Sequence, residues 1–220
     1  MDAKEFLGMV DHTLLKPEAT REQITALCAE ARELSPASVC VNGLWVAHAV
    51  SELDGTEVPV CSVVGFPLGA MAAVSVARET EDAVEDGARE IDMVVPVGLL
   101  KGGEDEAVRA YVGEVRSAAD GVLLKVILES AVLEDDEIVR ACELSVAAGA
   151  DFVKTSTGFH AAGGASEEAV RLMRETVGAD IGVKASGGIR TREDVERMVA
   201  AGASRLGMSA AAAVAEEFGG

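Results

Sequence analysis

Two of the six lysines in this 220-residue chain stand thirty residues apart at the ends of similar apolar runs, Asp151-Phe-Val-Lys154-Thr-Ser-Thr157 and Ile181-Gly-Val-Lys184-Ala-Ser-Gly-Gly188. An amine that is to attack a carbonyl must be partly neutral, and a second ammonium held close by is one physical way to make it so. At roughly 4 Å and an effective dielectric of 20 the repulsion is on the order of 4 kcal/mol, enough to bring an amine that is otherwise almost fully protonated at neutral pH into a useful range. The expected chemistry is Schiff-base formation of the kind a lysine-dependent aldolase uses.

Such a pair needs elements that bring it together. Gly-Ala recurs ahead of apolar runs at Gly87-Ala88, Gly149-Ala150, Gly178-Ala179 and Gly202-Ala203, each reading as a helix end that leads into a strand. Counting forward from these glycines places Asp92, Lys154, Lys184 and Gly207 at equivalent depths, and Lys125 follows Asp120-Gly121 in the same way. Eight short β-prone segments, at 9–13, 38–42, 58–64, 90–96, 122–128, 151–155, 181–185 and 204–208, alternate with helical patterns. Hydroxyl caps before acidic residues mark helix starts at Thr20, Ser166 and Thr191. The expectation is an α/β fold, one single-domain (β/α)8 TIM barrel over residues 1–220, with the polar positions converging on one rim. An open doubly wound sheet is the alternative, but no GxGxxG fingerprint follows the first strand.

A net charge of −19 weighs strongly against nucleic acid as a partner, because phosphates would be repelled. With 13 arginines against six lysines, it also fits a solvated surface in a salt-rich cytosol, or simple solubility. The apolar stretches are too short to span a bilayer and the amino terminus lacks a secretory pattern, so the expected location is cytoplasmic, with no membrane partner. Cys28, Cys40, Cys61 and Cys142 show no close metal-type spacing and read as reduced core residues; Cys40 alone is also a candidate for the rim.

In a barrel the loops after strands seven and eight commonly hold phosphate. Here they are Ser186-Gly187-Gly188 and Gly207-Met-Ser209, with a helix expected from Thr191 and a short one from about Ala210 to Ala215 to offer amide donors. A small phosphate-bearing substrate is the reading these loops favour.

The chain resembles the 2-deoxyribose-5-phosphate aldolase family. The matching runs are Asp11-His-Thr-Leu-Leu15, Glu90-Ile-Asp-Met-Val94, Lys125-Val-Ile-Leu-Glu129, Phe152-Val-Lys-Thr-Ser-Thr-Gly-Phe159, Val183-Lys-Ala-Ser-Gly-Gly-Ile-Arg190 and Arg205-Leu-Gly-Met-Ser209. The resemblance implies reversible cleavage of 2-deoxy-D-ribose 5-phosphate into acetaldehyde and D-glyceraldehyde 3-phosphate, with no metal and no organic cofactor, in a homodimer or homotetramer. It implies Lys154 as the Schiff-base lysine, Lys184 as its proton donor and electrostatic partner, and Asp92 as the proton-transfer carboxylate, with Lys125 orienting Asp92. Asp11, Thr13, Cys40, Thr155, Gly158, Gly187, Gly188, Gly207 and Ser209 are the expected substrate contacts.

Each residue also has a structural reading: a surface position for the lysines, a salt bridge to Lys125 for Asp92, hydrogen bonding for His12 and His160, a buried thiol for Cys40. The chain departs from the family pattern at Pro96, Met208, Ala210 and Phe159, the last standing where some members carry a lysine. These departures bear on phosphate affinity rather than on the lysine chemistry. A ketose-phosphate or transaldolase-like Schiff-base enzyme and a sugar-phosphate sensor are the competing functions.

Overall fold

A computed structural model describes residues 1–219. Its elements run in the order α1 (Ala3–Leu7), β1 (Val10–Leu14), α2 (Arg21–Leu34), β2 (Ser38–Asn42), α3 (Val46–Glu52), β3 (Val60–Val64), α4 (Ala73–Glu85), β4 (Glu90–Val94), α5 (Val97–Lys101), α6 (Asp105–Ala118), β5 (Leu123–Ile127), α7 (Asp135–Ala147), β6 (Phe152–Lys154), α8 (Glu167–Val177), β7 (Gly182–Ser186), α9 (Arg192–Ala200), β8 (Arg205–Met208) and α10 (Ala211–Gly219). All eight strands are parallel and close into one barrel in sequence order, β8 pairing back onto β1 through Val10 and Leu206. Following the register once around from Asp11 returns to the level of Ala3, a displacement of eight residues, which is the shear of a TIM barrel.

The eight expected strands are all present, β2 with the expected bounds and the other seven trimmed or shifted by one or two residues. Thr20, Ser166 and Thr191 do cap α2, α8 and α9, each accepting from the backbone three residues on. The Gly-Ala glycines carry positive φ, from 73° at Gly178 to 114° at Gly202, where the chain leaves a helix and turns into the next strand. The sequence pattern did not disclose α1. Its Phe6 is fully buried and stacks on Phe218 of α10, with ring centroids 4.9 Å apart, so the two ends of the chain pack together.

Successive strand residues point to opposite faces, which gives the barrel two different cores. Outward residues such as Val39, Ile91, Met93, Val126, Val153 and Val183 pack beneath the helices in one continuous apolar layer. Inside, Cys40, Cys61 and Val63 form a small separate apolar cluster with Leu15 and Phe66. Beside it lies a cluster of buried charged residues, and that cluster positions the site.

The expected equal depth of the polar positions needs one correction. Asp92 pairs in register with Lys125, and Lys154 with Lys184, but Lys125 lies beside Phe152 and Lys154 beside Ile127. Because the shear of eight is shared by eight strands, each register step drops about one residue, so Asp92, Lys154 and Gly207 do share one level while Lys125 and Lys184 lie about one residue deeper, a step that linear counting cannot see.

Candidate active site

Asp92 occupies the middle of β4, fully buried, and gathers three amines. Its Oδ1 accepts from Lys125 Nζ at 2.7 Å, and its Oδ2 accepts from Lys154 Nζ and Lys184 Nζ, both at 2.7 Å. Asp11 on β1 accepts from Lys184 through Oδ2 and from Arg205 Nη1 through Oδ1 at 2.8 Å. Glu90, two residues below Asp92 on the same face, lies 2.6 Å from Lys125 and accepts from Arg205 Nη2 at 3.2 Å. Four cations thus interlock with three carboxylates, as buried charge requires if each ion is not to lose its hydration uncompensated.

The electrostatics follow from these contacts. Burial by itself would raise the carboxyls of Asp11 and Asp92, but the surrounding cations outweigh it: Lys125, Lys184 and Arg205 hold Asp11 low, and Lys125, Lys154 and Lys184 hold Asp92 well below the usual carboxylate range. Burial would lower the amines of Lys125 and Lys184, yet Asp11 and Asp92 raise both above the ordinary lysine value. Asp11 and Asp92 thus favour the ammonium form of Lys184, and Asp92 Oδ2 stands between it and Lys154. The bare pair of ammoniums expected from the sequence is a lysine–carboxylate–lysine arrangement instead.

Above the cluster opens a cavity of about 400 Å³. Of the three lysines on Asp92, only Lys154 lines it. Six of the residues expected as substrate contacts line it too: Thr13, Gly158, Gly187, Gly188, Gly207 and Ser209. Three other expected contacts do not. Asp11 is fully buried and committed to Lys184 and Arg205, so it faces the charge network and not a sugar. Cys40 is fully buried in the interior apolar cluster beneath Leu15. Thr155 ties β6 to β7, its Oγ1 donating to the Ser186 carbonyl and accepting from the Ser186 N–H at 3.1 Å.

The phosphate end also differs from expectation. The α9 terminus is already occupied by protein acceptors: Arg190 and Thr191 N–H donate to Asp194 Oδ2 at 3.0 and 3.1 Å, and Arg192 N–H to Glu217 Oε2 at 3.0 Å. An anion would meet carboxylates there. The unspent basic groups on the rim are Lys16 and Arg190, both exposed, both lining the cavity and, among the described residues, neither in an ion pair. Neither was singled out from sequence, although Arg190 ends one of the matching runs and Lys16 stands two residues past β1. His12 and His160 make hydrogen bonds only, to Glu30 and to the Ala162 N–H, and His48 on α3 bonds Thr25.

Two further features were not legible beforehand. Glu129 adopts a left-handed backbone, φ 58°, and its buried carboxylate accepts from Thr157 Oγ1 at 2.5 Å, which anchors the loop after β6. Phe159 stands edge-on to Phe66 with centroids 5.2 Å apart, and borders both the main cavity and a second one of about 260 Å³.

Gly207 shows how tightly the site is packed. A Cβ there would lie 2.9 Å from Ser186 Cβ and 3.1 Å from Lys184 Cε. Gly207→Ala is expected to destabilise the chain by about 1–3 kcal/mol and to lower kcat by displacing Lys184, while Gly219→Ala, with open space around it, does neither. Urea unfolding and steady-state kinetics check both.

Comparison with known proteins places this arrangement. The DeoC/LacD family aldolase model matches residues 6–215. The chain belongs to the DeoC/LacD family of aldolases. Among its relatives are the deoxyribose-phosphate aldolases of Bacillus cereus (strain AH187), 57% identical over 207 residues, and of Bacillus anthracis (strain CDC 684 / NRRL 3495), 56% identical over 207 residues. Each alignment covers 94% of this chain and 92% of the relative. A solved deoxyribose phosphate aldolase from Aeropyrum pernix, described as tetrameric, superposes with a TM-score of 0.90 at 33% identity, covering 98% of this chain and 92% of that one. In this DeoC/LacD aldolase, the runs that carry Lys154 and Lys184 are also the runs that build the cavity floor and its glycine loop.

Proposed function

We propose that this aldolase reversibly cleaves 2-deoxy-D-ribose 5-phosphate to acetaldehyde and D-glyceraldehyde 3-phosphate through a Schiff base on Lys154. The observation that carries the reading is that Lys154, alone of the lysines held on Asp92, opens into the cavity bounded by the glycine loops.

The open-chain sugar presents its C1 aldehyde to Lys154, and loss of water gives a protonated imine. That cation draws electrons from the C2–C3 bond as the C3 hydroxyl gives up its proton, glyceraldehyde 3-phosphate departs, and an enamine remains. Protonation at C2 and hydrolysis release acetaldehyde and restore the amine. We assign the proton relay to Asp92 and Lys184, which are hydrogen-bonded to each other: Asp92 takes up the C3 hydroxyl proton by way of a solvent molecule and the pair returns one to C2 of the enamine, while Asp92 also orients both amines and offsets the imine charge. Lys125, anchored by Glu90 and Asp92, fixes Asp92 from below. The Gly187-Gly188 loop and Ser209 offer donors, and Lys16 and Arg190 offer charge, to the phosphate.

Borohydride reduction in the presence of deoxyribose 5-phosphate, at low and molar salt, followed by peptide mapping, tests this. Adduct on Lys154 alone is expected; binding of the sugar phosphate without adduct would favour a sensor.

We further infer a homo-oligomer in a reducing compartment such as the cytoplasm. Leu68, Met71 and Val74 leave an apolar strip exposed around the start of α4, and all four cysteines are free thiols. No helix among the described residues is long and apolar enough to cross a membrane. Sedimentation velocity returning a monomer would remove the assembly inference.

A further inference from the structure

Cys40 and Cys61 are twenty-one residues apart in the chain, and that spacing says nothing of a ligand set. The barrel makes them direct register partners on β2 and β3, and β4 brings Asp92 beside them. Their two sulfurs and a carboxylate oxygen of Asp92 all lie within 4.8 Å of one another, fully buried. Cys61 Sγ already donates to Asp92 Oδ1 at 3.2 Å. We propose that Cys40, Cys61 and Asp92 form a site for a thiophilic divalent cation of the zinc class, and that its occupation shuts down the lysine cluster.

The donor set suits such an ion. Two thiolates and one carboxylate leave one of four tetrahedral positions for water, and bond lengths of about 2.0–2.3 Å would set the three donors roughly 3.5 Å apart. The Cys61–Asp92 side, at 3.2 Å, is already near that spacing, and every side of the triangle is under 4.8 Å, so the adjustment needed is about 1.3 Å or less. Binding expels the two thiol protons and admits a dication, so the net charge of the buried interior does not change. That balance lowers the cost of a cation here, and the ammonium that must give way is Lys125, which donates to Asp92 Oδ1 at 2.7 Å and to Cys61 Sγ at 3.4 Å.

The carboxylate is divided in a way that explains the consequence. Lys154 and Lys184 hold Oδ2, whereas Oδ1 faces Cys61 and Lys125. A cation on Oδ1 displaces only Lys125, which retains Glu90 at 2.6 Å and Asp11 at 3.5 Å. It also draws charge from Oδ2, weakening the acceptor that orients both remaining amines. Access runs past Leu15, which both lines the cavity and packs on the two thiols, so uptake should be slow and slowed further by bound substrate.

The test uses the full reduced chain in a non-chelating buffer with cobalt(II) or zinc(II) alone. Expected are one cation per chain, a near-ultraviolet thiolate-to-cobalt charge-transfer band, release of about two protons, and a fall in turnover of roughly 100-fold that a chelator reverses. Magnesium should produce none of these, since a hard cation gains little from sulfur. Cys40→Ser and Cys61→Ser should each abolish the band, and Cys28→Ser and Cys142→Ser, whose thiols sit in the helical layer, should keep it. A band that survives in both Cys40→Ser and Cys61→Ser, or uptake without proton release, overturns the site. A full band with unchanged turnover overturns the inhibition. The band and the protons are read without catalysis, so they stand or fall independently of the aldolase assignment.

Discussion

Lys154→Met is expected to lower kcat by more than roughly 10⁴-fold, at least about 5 kcal/mol of barrier, while the barrel remains folded. Methionine matches the length of the lysine stem and cannot form an imine, so the electron sink for C2–C3 cleavage is lost altogether. The fold survives because Asp92 keeps Lys125 on Oδ1 and Lys184 on Oδ2. The same variant should give no borohydride adduct yet still bind the sugar phosphate, since the glycine loops, Lys16 and Arg190 are untouched. Residual turnover within tenfold of wild type would move the nucleophile elsewhere.

Lys184→Met is expected to act on both chemistry and stability. It strips Asp11 and Asp92 of a shared ammonium in a fully buried setting, which should destabilise the chain by about 3–5 kcal/mol. Loss of the proton-holding group should lower kcat by roughly 10²–10⁴-fold. The acid limb of the rate profile should move upward in pH, because removing a cation leaves the surroundings of Lys154 more negative and favours its ammonium form. An unchanged acid limb would remove the electrostatic role assigned to Lys184.

The pH dependence of stability carries the same signature. Asp11 and Asp92 are depressed below 3.8, so their contribution is present above that value and lost as pH falls through the depressed values. Lys125 and Lys184 are raised above 10.5, so theirs is present below it and lost only as pH rises through the raised values. This cluster therefore contributes evenly across the span between, and in Lys184→Met that even contribution should shrink throughout it, as melting temperatures against pH would show.

What the sequence by itself determined was local. Apolar runs of strand length, Gly-Ala exits and hydroxyl caps depend on a few adjacent residues, so all eight strands and the starts of α2, α8 and α9 were legible, as were the glycine loops whose conformational freedom is intrinsic. Matching runs also pointed to Lys154, Lys184 and Asp92. Tertiary structure decided what depends on stagger and on distant partners. Shear placed Lys154 nearer the rim than Lys125; Asp11, 173 positions from Lys184, became its buried counter-ion and not a sugar ligand. Glu217 closed an α9 terminus that the sequence left open to an anion, and Cys61 met Cys40 and Asp92 across three strands. A charge shows in a sequence, but whether it faces substrate or another charge is fixed by the closure of the barrel, which sets residues from opposite ends of the chain within hydrogen-bond reach.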